Sequence, residues 1–280
     1  MKPAALVPDP DTLPPPPAAP WRQRLDAANV ALLLGLIAVV GSFPALRDSG
    51  RDLDHWANLT RFAGRFFPPD LSVLRPALSA LGETFQIAML ATAFASALAF
   101  PFGLAGARTI SPPWLVWGVR FAMNAIRTIP SLIWALLAVS IVGPYPLAGV
   151  IGLTFYSLGY LSKFFSEAFE SVDHDVARGL RALGADGIQA FQHGLWPHAR
   201  PLIWSYMMWM LEYNLRSAAI IGYVGAGGIG TLLHVYHEYY QWEKFATVLL
   251  LILGLVTVLD IAGEGLRQRL IKRPNAKSLV

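Results

Sequence analysis

The chain has 280 residues, 55% hydrophobic and only 14% charged, with 22 Lys and Arg against 18 Asp and Glu, a net charge of +4 and no cysteine. Soluble domains carry about a quarter charged residues, so this chain cannot dress a water-facing globule, and it has too much apolar surface to stay disordered. Disulfides, thiol catalysis and Cys-ligated metal are excluded, and the basic excess fits loops on one side of a membrane better than a nucleic-acid surface.

The first twenty residues hold eight of the 21 prolines, including Pro14 to Pro17. No helix runs through such a stretch, so residues 1–24 read as a disordered tail. The apolar run from Ala27 to Leu46 is long enough for a first transmembrane helix. Residues 47–80 are too polar to span. A second span is expected from Thr84 to Gly106, where Ala88, Ala91, Thr92, Ala95, Ser96 and Ala99 recur as a small-residue face that lets another helix approach. Pro101 should kink its far end. A third span, from Phe121 to Gly143, carries Asn124, Arg127 and Pro130. After a Gly143-Pro144-Tyr145-Pro146 turn, a short fourth span covers Leu147 to Leu161.

Residues 163–200 are polar yet regular. Val176, Leu180, Leu183 and Ile188 fall toward one side and Arg178, Arg181 and Asp186 toward the other, which predicts an amphipathic helix outside the hydrocarbon. A fifth span runs from Pro201 to Ile221. The glycine-rich Gly222 to Gly230 and a polar outer helix from His234 to Lys244 follow. A sixth span, from Phe245 to Ala262, ends in Arg267, Arg269, Lys272 and Arg273. Six spans put both termini on one side. With that side cytoplasmic, the cytoplasmic segments hold fourteen Lys and Arg and the outer segments six, as the positive-inside rule requires. The expected fold is therefore all-α, a polytopic membrane protein with about six transmembrane helices and a cytoplasmic helix over residues 163–200.

Within that segment, Gly184 and Pro197 stand at the separation found in the coupling loop of ABC-importer permeases. The family pattern is Glu-Ala-Ala, three residues, Gly, nine residues, Ile, any residue, Leu-Pro. Arg178, Gly179, Leu180, Gly194 and Trp196 depart from it. Phe67-Pro68-Pro69-Asp70, Arg127-Thr128-Ile129-Pro130-Ser131, the run from Ser166 to Asp173, Glu212-Tyr213-Asn214-Leu215-Arg216-Ser217 and the run from Val224 to Gly230 occur in order. Over about residues 60–270 these motifs resemble the permeases of phosphonate-family ABC transporters, the PhnE-like subunits of phosphonate or phosphite import.

The resemblance implies a type I importer permease that works as a homodimer with two ATPase subunits and an extracytoplasmic substrate-binding protein. Its cargo would be a phosphonate or related phosphorus oxyanion, and its place the bacterial inner membrane. ATP and Mg would be used by the partner ATPase, with no cofactor on this chain. No lysine follows glycine in a phosphate-cradling Gly-Lys-Ser/Thr loop, so ATP hydrolysis by this chain is not expected. The domains would be a cytoplasmic tail (1–24), a first transmembrane helix with an outer loop (25–80), a permease domain (81–270) with its coupling loop (163–200), and a cytoplasmic tail (271–280). Glu167, Arg178, Arg181, Gly184 and Pro197 are the candidates for coupling to the ATPase.

Candidates for the translocation route or gate are Asn124, Arg127, Glu212, Asn214, Arg216, Gly225, Gly227, Gly228 and Gly230. Arg127 and Arg216 are the basic residues placed within spans, where a cation needs a partner or a polar cavity. Arg127 either snorkels to the cytoplasmic surface or lines the route. Glu212 and Arg216 stand four apart, suited to an ion pair that locks the bundle; alternatively Arg216 offers charge to a passing anion. Gly225-Ala226-Gly227-Gly228-Ile229-Gly230 spells a dinucleotide fingerprint but follows a span, not a strand. Its glycines serve either a tight re-entry between spans or an anion-friendly nest near an outer gate. His234, His237 and Glu238 lack further metal ligands nearby, so no metal site is expected. Two alternatives remain at this stage. One is an ABC permease for another small solute such as an amino acid, and the other a membrane-embedded hydrolase built on Arg127, Glu212, Arg216 and His234.

Overall fold

A computed structural model describes residues 27–46, 54–173 and 175–271. The expected N-terminal tail, and the C-terminal tail beyond Ile271, lie outside the described residues. Among those described there are helices and turns but no strand, and the chain divides into two compact units between Asn58 and Leu59.

The first unit holds α1 (Ala27–Gly41), a 3-10 turn (Phe43–Leu46) and the start of α2 (His55–Gly64). α1 is apolar on every side, and Leu32, Leu33, Leu34, Leu36 and Ile37 are all exposed, as befits a helix solvated by lipid. It is 15 residues long, shorter than the expected run to Leu46. Pro44, which restricts the residue before it, follows the helix end and the chain tightens into a 3-10 turn.

The second unit contains α3 (Leu74–Gly106), α4 (Pro113–Thr128), α5 (Ser131–Val142), α6 (Pro146–Glu170), α7 (Asp175–Ala182), α8 (Gly187–Ala190), α9 (Trp196–Ile221), α10 (Ile229–Glu238) and α11 (Trp242–Ile271). The small-residue face is where the sequence put it: Ala88, Ala91, Thr92, Ala95, Ser96 and Ala99 of α3 are all buried. α3 starts ten residues earlier than expected and continues through Pro101 to Gly106. α6 is central, packed by α3, α4, α5 and α9. Its Gly152 lies so close to α5 that an added Cβ would stand 2.7 Å from the Ala135 nitrogen. Only a hydrogen at that position lets the two backbones meet.

Four expectations are corrected. The third span is two helices, α4 and α5, bent by 84°. Pro130 supplies no N–H and disfavours a helical Ile129, which is extended here (φ −85°, ψ 121°), and α4 stops at Thr128. The fourth does not stop at Leu161 but continues as α6 to Glu170. Residues 163–200 are consequently not one amphipathic helix. They comprise the end of α6, α7, α8, a π-helical turn (Phe191–Leu195) and the first turn of α9.

The fourth correction concerns the glycine-rich segment. α9 and α10 form a broken pair bent by 43°. Ile221 and Ala226 belong to a buried cluster against which Leu255 and Leu259 of α11 pack, and Ile229 to one against which Leu251 and Ile252 pack. The break therefore lies beside the middle of α11, not beyond its end. Among the described residues, Leu71–Gly106 and Trp242–Gly265 are long and apolar enough to cross a membrane alone, and counting each bent pair as one span raises the number to four. α6 has the length, at 25 residues, but carries Thr154, Tyr156, Ser157, Tyr160 and Ser162. A helix wrapped by protein can keep such side chains because its neighbours satisfy them.

Candidate coupling surface and polar route

The coupling segment is built from local stop signals. α7 ends in a Schellman motif: Gly184 takes φ +94°, its N–H donates to the Arg181 carbonyl at 3.0 Å, and the Ala185 N–H donates to the Leu180 carbonyl at 3.0 Å. Positive φ favours glycine there. Asp186 opens α8 with a capping box. Its carboxylate accepts from the Gln189 N–H at 2.7 Å while the Gln189 side chain accepts from the Asp186 N–H at 3.1 Å. Gly194 seats α7 on the π-helical turn, since a Cβ on it would lie 2.8 Å from the Ala177 Cα. Pro197 falls in the first turn of α9, where a missing N–H costs nothing.

The surface so formed is apolar at its tip and basic at its side. Leu183 is 88% and Ile188 69% exposed, far more than a water-facing tip needs. Arg178, paired with Asp175, and Arg181 border a cavity of about 410 Å³ whose floor includes Ala177 and Phe191. Glu167 pairs with Lys163 at 3.4 Å. The segment is anchored by a residue not among the site candidates. Glu170 accepts from the Arg108 N–H at 2.6 Å and from the Arg120 guanidinium at 2.6 Å, and Arg120 Nε donates to the Gly106 carbonyl at 2.9 Å. This one carboxylate ties the ends of α3 and α6 to α4. A charge-assisted pair between a basic and an acidic residue fifty apart has no local spacing signal.

The route candidates separate into distinct neighbourhoods. Asn214 is fully buried. Its amide donates to Thr92 Oγ1 at 2.9 Å and accepts from Ser157 Oγ at 2.9 Å, joining α3, α6 and α9. Arg127 donates to Asn124 Oδ1 at 2.9 Å and lies over the Tyr160 ring at 5.4 Å. Arg216 does not form the expected ion pair with Glu212; it reaches Asp260 of α11 at 3.2 Å. Glu212 is buried, with its carboxylate in the space that a side chain at Gly263 would occupy. Asp260 was legible as an acid inside an apolar run, which by itself demands a partner.

The glycine turn is a packing device. Gly225, Gly227 and Gly228 all have positive φ, and residues 226–230, Gly230 included, are buried, with Ala226 and Ile229 at 0% exposure. The Gly227 Cα faces Pro146 of α6, and the Ile229 N–H is spent on Thr84 Oγ1 at 2.8 Å. The Gly225 and Ala226 N–H groups donate within the turn, to the Gly222 and Ile221 carbonyls, and this burial and close packing suit the re-entry reading. His234 pairs with Glu238 at 3.0 Å, and His237 Nδ1 lies 2.8 Å from the Tyr223 hydroxyl. Arg127, Arg216 and His234 thus engage different partners, and the dispersed hydrolase site is not assembled.

Comparison with known proteins supplies the family and the fold. Residues 99–272 match the family model of binding-protein-dependent transport system inner membrane components. The chain is 34% identical over 249 residues, 89% of its length and 90% of the relative's, to the phosphite transport system permease protein PtxC of Stutzerimonas stutzeri. It is 35% identical to the putative phosphite transport system permease protein HtxC of the same organism, covering 75% of this chain and 74% of that one. A chain of the MetNI methionine ABC transporter in an inward-facing conformation superimposes with a TM-score of 0.64 at 23% identity, covering 72% of this chain and all of that one. At that identity the likeness is one of fold.

Proposed function

Because the chain belongs to the family of binding-protein-dependent transport system inner membrane components, we propose that it is the permease of an ATP-driven importer for a phosphorus oxyanion such as phosphite, phosphonate or phosphate. It acts as a homodimer with two ATPase subunits, which use ATP and Mg, and receives its cargo from an extracytoplasmic binding protein. Both termini and residues 163–200 face the cytoplasm.

The observation that supports this reading most is the α7–α8 tip. Leu183 and Ile188 project from a segment locked by a Schellman motif, a capping box and the Gly194 seat. An exposed apolar tip on a rigid base suits docking into a groove of another protein. Since α9 begins directly after the π-helical turn that carries α7, a displacement of the tip by an ATPase is transmitted to α9 and to the Asn214 junction within the bundle. The cargo assignment draws support from the names of the phosphite permeases, which the chain matches along most of its length.

The test is uptake by the complete complex in proteoliposomes. Labelled phosphite or a phosphonate should accumulate when ATP is inside with the ATPase and the binding protein is outside. Accumulation of methionine with no uptake of any phosphorus oxyanion would refute the cargo assignment.

A further inference from the structure

The cleft where α4 leans on the C-terminal half of α6 brings basic and amide side chains together, with Arg120 and Lys163 of the ion pairs described above among them. It is a cavity of about 150 Å³ with an apolar side, formed by Phe102 and Gly106 of α3 and Val119 and Met123 of α4, and a polar side formed by Arg120, Asn124 and Arg127 of α4 and Ser162, Lys163 and Ser166 of α6. Pockets for drug-sized molecules run to roughly 300–1,000 Å³, so this one suits a small ion. Three cationic residues, Arg120, Arg127 and Lys163, contribute to its lining, and no acidic residue does.

The charges do not cancel. Arg120 is matched by Glu170 at 2.6 Å and Lys163 by Glu167 at 3.4 Å. Among the described residues, Arg127 has no carboxylate partner; it has the Asn124 oxygen and the Tyr160 ring. One positive charge is therefore left over, on a half-buried side chain beside the cleft, where a small anion can match it. Asn124 offers its amide N–H groups, since its oxygen is already taken by Arg127. The arrangement is spaced along one helix face, because residues 120, 124 and 127 recur at helical intervals. A planar guanidinium, an ammonium and an amide around a small void are the donors that recognise a tetrahedral oxyanion.

We propose that this cleft is an oxyanion-binding site of the chain on the coupling-loop side of the bundle. There a singly charged phosphorus oxyanion pauses before release, or rebinds when it is abundant in the cytoplasm. The identity of the anion rests on the proposed function; the site itself rests on the charge and size of the cleft. The same chemistry would also hold the phosphate of a lipid headgroup, and the test separates the two sources.

The experiment uses the permease–ATPase complex without its binding protein, in nanodiscs of phosphatidylcholine, with radiolabelled inorganic phosphate as the probe. Saturable binding is expected. It should weaken tenfold or more in Arg127→Met and in Lys163→Met, survive in part in Arg127→Lys, and be unchanged in Lys244→Met at the other end of the bundle. Repeating the titration in phosphatidylglycerol nanodiscs assigns the source: suppressed phosphate binding marks a headgroup site, and undiminished binding marks a site for the free anion. Absence of saturable binding by the wild-type complex in phosphatidylcholine, or equal binding by wild type and both methionine variants, overturns the proposal. Uptake of phosphite measured on the same wild-type preparation keeps the two readings apart. Transport without phosphate binding in the cleft sinks this site alone, whereas no uptake of any phosphorus oxyanion sinks the cargo assignment.

Discussion

Arg216 and Asp260 show how a residue-level reading of sequence succeeds and then stops. An arginine within an apolar run demands a partner, and Glu212, four residues earlier, had the spacing of one. The partner is instead Asp260, 44 residues later, on a helix that packs alongside. Spacing within one helix is visible in sequence, and registry between helices is not. The pair is about half exposed on each side (44% and 49%), so in water it would contribute little. At the depth of a lipid or subunit boundary, breaking it leaves one charge stranded. Arg216→Met should therefore lower the melting temperature of the purified complex, and Arg216→Met with Asp260→Leu should recover it. If transport recovers along with stability, the charge at Arg216 is not needed for passage. A double variant no more stable than the single one would contradict the pairing.

At the scale of elements, most boundaries were legible where glycine or proline sets them, and illegible where polarity was taken as an end. Gly106 and Gly143 marked the ends of α3 and α5, and Pro146 the start of α6. Gly184, by contrast, ends α7 inside a stretch expected as one helix, and α9 begins at Trp196, ahead of the expected Pro201. Pro130 lies within the expected third span, and the 84° bend between α4 and α5 that it marks has no signal of its size in the sequence. The expected fourth span ends at Leu161, just before Lys163 opens a polar stretch. In the structure that lysine pairs with Glu167 one turn later and the helix simply continues.

Gly194 carries a sharper lesson. It departs from the family pattern, which has Ile at this position, yet it lies beneath Ala177 where a side chain has no room. Restoring the family residue should therefore do harm. Gly194→Ile is expected to displace α7 at a cost of about 1–3 kcal/mol, the range for overpacking, and to reduce ATPase association while the chain still inserts. Co-purification of the ATPase with the membrane-inserted variant measures this; undiminished association would show that α7 is not held by the Gly194 seat.

For the molecule as a whole, the sequence conveyed the helical, membrane-bound class and the order of its segments, because apolar runs and small-residue faces are one-dimensional signals. It did not convey that the glycine turn sits beside the middle of α11, since that depends on how far α10 continues past the break. The orientation across the membrane rests on the distribution of Lys and Arg. The absence of native cysteine makes it measurable. A cysteine at Leu183 should resist a membrane-impermeant thiol reagent in intact cells, and one at Gln241, exposed at the opposite end, should react. Labelling of the Leu183 position from outside would invert the topology.

The central claim is that the α7–α8 tip delivers the work of ATP hydrolysis to the membrane bundle. ATP-driven phosphite uptake in proteoliposomes by the complete complex, with wild type and Leu183→Asp compared at equal amounts of inserted permease, tests it most directly. Leu183 is so exposed that the substitution spares the fold, and a charge at an apolar docking tip should weaken the ATPase contact. Uptake should fall at least tenfold in the variant, and the ATP hydrolysis remaining should no longer respond to the loaded binding protein. Uptake at the wild-type rate, with hydrolysis still responsive, would contradict the claim.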